Sequence, residues 1–221
     1  MIYSGYDTEK QFDYENGFYL TSKSARLGKI IVHYELYKMI NNLPGDIVEF
    51  GVFKGASLIK FATFRELFEN TYSRKIIGFD VFDKFPETDF ADDKKYREEF
   101  IENAGESSIT LESLHEILEY KKFQNVELVK GDILETAPKY IADNPQLKIS
   151  LLHIDVDIYE PSKIILETMY DSVVKGGLIV LDDYGTFPGE TKAVDDFFHG
   201  KSVQINKFPF SQSSPSYIIK E

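Results

Sequence analysis

Seven acidic residues fall where an apolar run gives way to a turn: Glu49, Asp80, Asp132, Asp155 with Asp157, and Asp182 with Asp183. Two chemistries suit them. Asp155-x-Asp157 and Asp182-Asp183 offer four carboxylates, hard oxygen donors of the kind that take Mg2+, Ca2+ or Mn2+. Clustered carboxylates repel unless one of them takes a proton or a cation joins them. Glu49 opens a glycine turn, Glu49-Phe50-Gly51-Val52-Phe53-Lys54-Gly55-Ala56-Ser57. Its two glycines let backbone approach a ligand and turn tightly into a helix. The turn is neither the dinucleotide fingerprint G-x-G-x-x-G nor a phosphate loop, which needs G-x-x-x-x-G-K-[ST]. An acid beside the turn repels phosphate and suits a cationic or hydroxyl-rich ligand. Asp80, at the end of the next strand, is placed to accept from ribose hydroxyls. An adenosine carrying a sulfonium amino acid meets these conditions, so S-adenosyl-L-methionine is the cofactor expected. The plainer reading of the glycine loop is an ordinary strand-to-helix turn, and that of Asp155, Asp157, Asp182 and Asp183 is helix N-capping.

These positions require strands that end together. Asp46–Gly51, Lys75–Asp80, Val126–Val129, Lys148–Asp155 and Leu178–Leu181 read as strands. They are nearly continuous apolar runs, as expected of strands buried on both faces. Helical spacing recurs over 24–42, 56–70, from Thr110, over 135–143, from Pro161 to Gly176-Gly177, and over 190–199. Strands alternating with helices give an α/β fold with a mostly parallel sheet covered on both faces. Val203–Phe208 and Ser216–Lys220 lack a long helix between them and predict an antiparallel hairpin at one edge, making a seven-stranded sheet. In such sheets ligands bind outside the carboxyl ends of the strands. Residues 24–221 read as one domain, with a charged insertion over 83–108. Residues 1–23, polar, tyrosine-rich and without clear period, read as an arm or lid.

The chain has 221 residues and a net charge of −12. The acidic balance argues against a nucleic-acid partner and against docking on an anionic membrane. No apolar run approaches the ~18 residues of a spanning helix. The first twenty residues carry Asp7, Glu9, Asp13 and Glu15 and do not resemble a signal peptide. The chain has no cysteine, which excludes disulfides, thiolate metal sites and thiol nucleophiles and fits a cytoplasmic location.

The combination Glu49-x-Gly51-x-x-x-Gly55-Ala56-Ser57, Asp80, Asp155-x-Asp157-x-Tyr159 and Asp182-Asp183-Tyr184-Gly185 resembles the macrocin O-methyltransferase family. The resemblance runs from about residue 20 to the C-terminus and also takes in Phe82 and Pro86. It implies a Rossmann-like class I methyltransferase fold and methylation of a sugar hydroxyl by S-adenosyl-L-methionine. It further implies Asp155, Asp182 and Asp183 as ligands of Mg2+ or another divalent cation, and Asp157 as general base. Glu49, Gly51, Gly55, Ser57, Asp80, Asp132 and Asp155 fall where this fold contacts its cofactor. Catechol O-methyltransferases place a comparable metal triad at the same strand ends, commonly with a lysine three residues after the first metal acid. Here that residue is Ile158, which favours the sugar-methylating branch. The expected partner is a sugar or nucleotide-sugar substrate, and a homo-oligomer is left open. The rivals are a metal-dependent glycosyltransferase using the D-x-D acids and a homologue that keeps the cofactor fold without catalysis. His153 shares the parity of Asp155 and reads as a core histidine. His33 reads as a surface residue that reaches substrate only if its helix borders the pocket.

Overall fold

The computed structural model describes residues 1–211 and 215–221. In chain order, β1 (Ile2–Tyr3) and β2 (Tyr6–Asp7) form a small hairpin, followed by α1 (Gln11–Thr21) and α2 (Ser24–Ile40). The main alternation is β3 (Asp46–Phe50), α3 (Ala56–Phe68), β4 (Ile76–Asp80), α4 (Asp93–Ala104), α5 (Leu111–Tyr120), β5 (Val126–Lys130) and α6 (Ile133–Asp143). It continues through β6 (Ile149–Ile154), α7 (Tyr159–Met169), β7 (Val173–Leu181), α8 (Pro188–Phe198), β8 (Ile205–Asn206) and β9 (Ser216–Ile219). Among the described residues the sheet has seven strands in the order β5-β4-β3-β6-β7-β9-β8. The pairs from β5 to β7 are parallel, and β9 runs antiparallel between β7 and β8. The chain thus forms the expected α/β sheet with an antiparallel edge.

Alternation along each strand builds two cores. Val48 and Phe50 of β3 face α6, α7 and α8, packing with Ala137, Ile165, Leu166 and Val194. Ile47 of the same strand faces α2, α3 and α5, packing with Leu36, Phe61 and Leu114. Successive side chains on a strand point to opposite faces, so a doubly covered sheet needs both sets apolar. Thr110 accepts from the Ser113 N–H and starts α5; Asp132 accepts from the Leu134 N–H and starts α6.

Two elements differ from the sequence expectation. Gly176-Gly177, expected to stop a helix, lies inside β7, because the helix ends at Met169 and a single 3-10 turn follows. The pairing of β6 with β7 shifts register across this stretch, from Ile149↔Val173 to Leu151↔Leu178. A Cβ on Gly177 would stand 2.8 Å from the Val174 carbonyl oxygen, so the glycine serves a bulge where backbones crowd. The N-terminal arm is ordered as a hairpin and α1 despite its lack of period. No residue of α1 is buried, and an unburied helix imprints no apolar stripe on its sequence.

Candidate active site

The strand order reverses direction between β3 and β6, and the loops leaving these two strands touch. The Asp155 N–H donates to the Phe50 carbonyl at 2.9 Å. Gly51 has φ +88°, and a Cβ there would lie 1.7 Å from the Asp155 carbonyl oxygen, so only glycine fits. A cavity of about 710 Å³ opens at this crevice, lined in part by Gly51, Ser57, Asp80, Asp132, Asp155 and Asp157. That volume suits a ligand of cofactor size, and the position is where α/β sheets bind ligands.

Each expected cofactor residue has a defined place. Asp80 is buried at the end of β4 and takes three donors: Phe53 N–H at 2.8 Å, Phe82 N–H at 2.6 Å and Ser108 Oγ at 2.9 Å. Phe53 and Phe82 have φ +48° and +51°, left-handed conformations that cost energy without glycine. Asp80 therefore fixes two strained turns at the cavity wall while burial raises its pKa. Asp132 lines the cavity as the cap of α6. Gly55 (φ +80°) leads into α3. Ser57 lines the cavity and donates to Glu49, which is fully buried beneath it.

The acids of β6 and β7 divide into two groups. Oxygens of Asp155, Asp157 and Asp183 lie within 4.8 Å of one another. Asp182, expected with them, turns the other way: its Oδ2 accepts from Lys29 Nζ at 2.6 Å and its Oδ1 lies 3.3 Å from His153 Nε2. Asp182 and Asp183 lie in a bend just past β7, and in this arrangement their carboxylates meet different neighbours. Asp157 joins Asp155 and Asp183 from a left-handed conformation, φ +64°.

Electrostatics follow this division. Burial opposes the charge of Asp182, but Lys29 and His153 outweigh it and hold the carboxyl below its usual range. Burial also opposes the charge on Lys29, and Asp155 with Asp182 reverses that effect. On the other side burial pushes Asp155 up to about 6 and Asp157 up to about 8, with neighbouring acids adding to both. Asp183 is raised well above the carboxylate range by burial and by Asp157. Glu190, wholly buried, is raised by burial and by Asp183. Asp183 Oδ2 and Glu190 Oε2 are buried with no hydrogen-bond partner among the described residues. Crowded hard oxygen donors with an orphaned carboxylate atom fit a divalent cation of the Mg2+ class.

A pH dependence follows. Between the ordinary carboxylate pKa of about 4 and about 8, the folded protein binds more protons at Asp155 and Asp157 than the unfolded chain does. Their contribution to stability is whole below that window and lost as pH rises through it. The contribution of Asp182, whose pKa is lowered, is present throughout the window. Thermal melts of chelator-treated protein should therefore show Tm falling from about pH 5 to about pH 8. Added Mg2+ should raise Tm more at the upper end, since cation and protons compete for the same oxygens. A Tm that does not fall over this range would contradict the assignment.

Three residues of the site were not visible as such in the sequence. Lys29 lies on α2, where helical spacing alone gives a lysine no distinguishing mark. Glu190 lies in the first turn of α8, where it accepts from the Asp183 N–H at 3.0 Å while its own N–H donates to the Asp157 carbonyl at 3.1 Å. Asp93, fully buried in the insertion, accepts from Tyr159 N–H at 2.9 Å and Gly189 N–H at 2.7 Å. Asp93 thus ties α4 to the starts of α7 and α8 behind the acids. His33 corrects the surface reading: it is fully buried, stacked on Phe61 at 5.2 Å and edge-on to His153 at 5.4 Å. Phe18 of α1 reaches the cavity lining. No helix among the described residues is long and apolar enough to cross a membrane.

The macrocin-O-methyltransferase family model matches residues 24–208. The chain is 27% identical over 164 residues to demethyldecarbamoylnovobiocin O-methyltransferase of Streptomyces niveus, covering 71% of this chain and 59% of that one. It is 26% identical over 151 residues to a 4'-O-methyltransferase of Streptomyces olivaceus that acts on 8-demethyl-8-(2,3-dimethoxy-alpha-L-rhamnosyl)-tetracenomycin-C, covering 66% and 55%. The chain thus spans less than two thirds of the length of these curated relatives. Among solved structures, a calicheamicin methyltransferase superposes with a TM-score of 0.77 at 28% identity, covering 98% of this chain and 86% of that one.

Proposed function

The chain belongs to the macrocin O-methyltransferase family, and from that premise we propose that it is an S-adenosyl-L-methionine- and Mg2+-dependent O-methyltransferase acting on a sugar hydroxyl. The acceptor we propose is a nucleotide-linked deoxysugar or a related natural-product or polysaccharide sugar. Family membership sets the glycosyltransferase reading aside. The observation that carries the proposal is that Asp155 and Asp157 line a cavity built on the β3–β6 crevice, with Asp183 oxygens within 4.8 Å of theirs.

S-adenosyl-L-methionine, when bound, supplies a methyl group on a cationic sulfur. A divalent cation, when bound, supplies the charge that makes a sugar hydroxyl more acidic. Asp155, Asp182 and Asp183 are the acids proposed to hold the cation. Asp155 and Asp183 already face one another, and Asp182 joins them only by giving up its 2.6 Å bond to Lys29. Lys29, 3.8 Å from Asp155 as well, marks this corner as one that attracts positive charge. Asp157 stands beside the Asp155–Asp183 pair and takes the proton of the attacking hydroxyl. An ordinary aspartate is a weak base for this task, and burial that lifts Asp157 to about 8 brings it near the working pH of a general base. Gly51 admits backbone close to the cofactor, Ser57, Asp80 and Asp132 shape and charge the wall around it, and Glu49 lies buried behind Ser57. Such positioning of two reactants supplies up to ~7–11 kcal/mol of a bimolecular barrier. We place the enzyme in the cytoplasm, where its absence of cysteine fits.

The test is transfer of labelled methyl from S-adenosyl-L-methionine to a panel of nucleotide-linked deoxysugars, with the product located by NMR. Label on a sugar oxygen is expected. Protein that does not bind the cofactor, or that labels only nitrogen or carbon, would refute the proposal.

A further inference from the structure

Part of the cavity wall carries cations to which the mechanism above gives no task. Arg26 and Lys29 of α2 and Lys60 of α3 all line it. Lys29 is committed to Asp182 and Asp155. The side chains of Arg26 and Lys60 have neither a hydrogen bond nor an ion pair among the described residues. Arg26 is exposed, and solvent accounts for it alone. Lys60 is half-buried, and burial together with Lys29 lowers its pKa to about 8. Glu49, Asp155 and Asp182 offset this only in part, and a lysine held partly out of water beside another ammonium, with no hydrogen bond or ion pair, is unfavourable by itself. It becomes favourable when an anion enters the cavity. The chain is otherwise acid-rich, with 37 Asp+Glu against 25 Lys+Arg, so two uncommitted cations in one cavity are not explained by composition.

We propose that Lys60, assisted by Arg26, forms an oxyanion subsite of the cavity that binds a carboxylate or phosphate of the bound ligand. This rests on the cofactor and substrate proposed above, because both carry such a group: the amino-acid carboxylate of S-adenosyl-L-methionine and the diphosphate of a nucleotide-linked sugar. The position favours the carboxylate. Lys60 lies one helical turn beyond Ser57 on the helix that the glycine turn feeds. A planar fork from Arg26 and a point charge from Lys60 together suit a two-oxygen anion.

Isothermal titration separates the sources. Three ligands are titrated into metal-free protein: S-adenosylhomocysteine, 5′-methylthioadenosine, which lacks the amino-acid end, and thymidine diphosphate. Lys60→Met is expected to weaken S-adenosylhomocysteine about tenfold and leave 5′-methylthioadenosine unchanged. Lys60→Arg, which keeps the charge, should bind like the wild type. A loss confined to thymidine diphosphate would support the subsite with the acceptor phosphate as its occupant. Unchanged affinity for S-adenosylhomocysteine and thymidine diphosphate overturns the inference. So does an equal loss for 5′-methylthioadenosine, which would mark general damage to the cavity. Wild-type protein that binds neither S-adenosylhomocysteine nor thymidine diphosphate overturns the cofactor reading as well, a result distinct from the other two.

Discussion

Asp157→Asn should lower kcat by about 10²–10⁴-fold, the usual contribution of a positioned general base. The amide keeps the size of the carboxylate and removes its ability to accept a proton at neutral pH. Binding of S-adenosylhomocysteine should be unchanged, because Asp157 is assigned to the acceptor side of the cavity. Stability should rise. Burial and the charges of Asp155 and Glu190 push Asp157 up to about 8, so near neutral pH folding must bring a proton to it, a cost that the amide does not carry. A variant that melts higher, binds cofactor product normally and turns over slowly separates lost catalysis from lost folding. Near-normal turnover in Asp157→Asn would remove Asp157 as the base.

Stripping divalent cations should reduce methyl transfer by about 10²-fold or more, with recovery on adding Mg2+ or Mn2+. The cause lies in the crowding of Asp155, Asp157 and Asp183 within 4.8 Å, with Glu190 bonded to the Asp183 N–H. Without a cation these acids share protons, and Asp183 is raised well above the carboxylate range, since both burial and Asp157 oppose its charge. Asp183→Asn should therefore raise the Mg2+ concentration needed for half-maximal activity by about 10–100-fold, the range typical of altered metal surroundings. Activity titrations against free Mg2+ measure this. Full activity in excess chelator would end the metal assignment.

The sequence made the strand ends legible because a buried parallel sheet repeats one pattern: an apolar run, then an acid or glycine where the chain leaves the core. Asp80, Asp132, Asp155 and Asp183 were found in that way. The direction of each side chain was not legible. Asp182 and Asp183 are neighbours, and only the register of β7 against β6 decides that one meets Lys29 and the other Asp157. Lys29 and Lys60 were missed because a lysine facing a cavity has the same helical spacing as one facing water. Asp93 and Glu160 were missed for a related reason. Glu160 accepts from Thr88 Oγ1 and from the Asp89 and Phe90 N–H groups, so both acids anchor the insertion through backbone groups that leave no mark on composition. The glycine pair at 176–177 misled because glycine ends helices and breaks strands alike.

The central claim is that a divalent cation and the adenosyl cofactor meet at the β3–β6 crevice. A crystal structure with S-adenosylhomocysteine and Mn2+, with manganese located by its anomalous signal, tests it most directly. The account predicts cofactor product in the cavity beside Gly51 and a manganese peak bound by the carboxylates of Asp155 and Asp183. Cofactor product in the cavity with no peak there, or with manganese on His33, His153 and Asp182 instead, would contradict it.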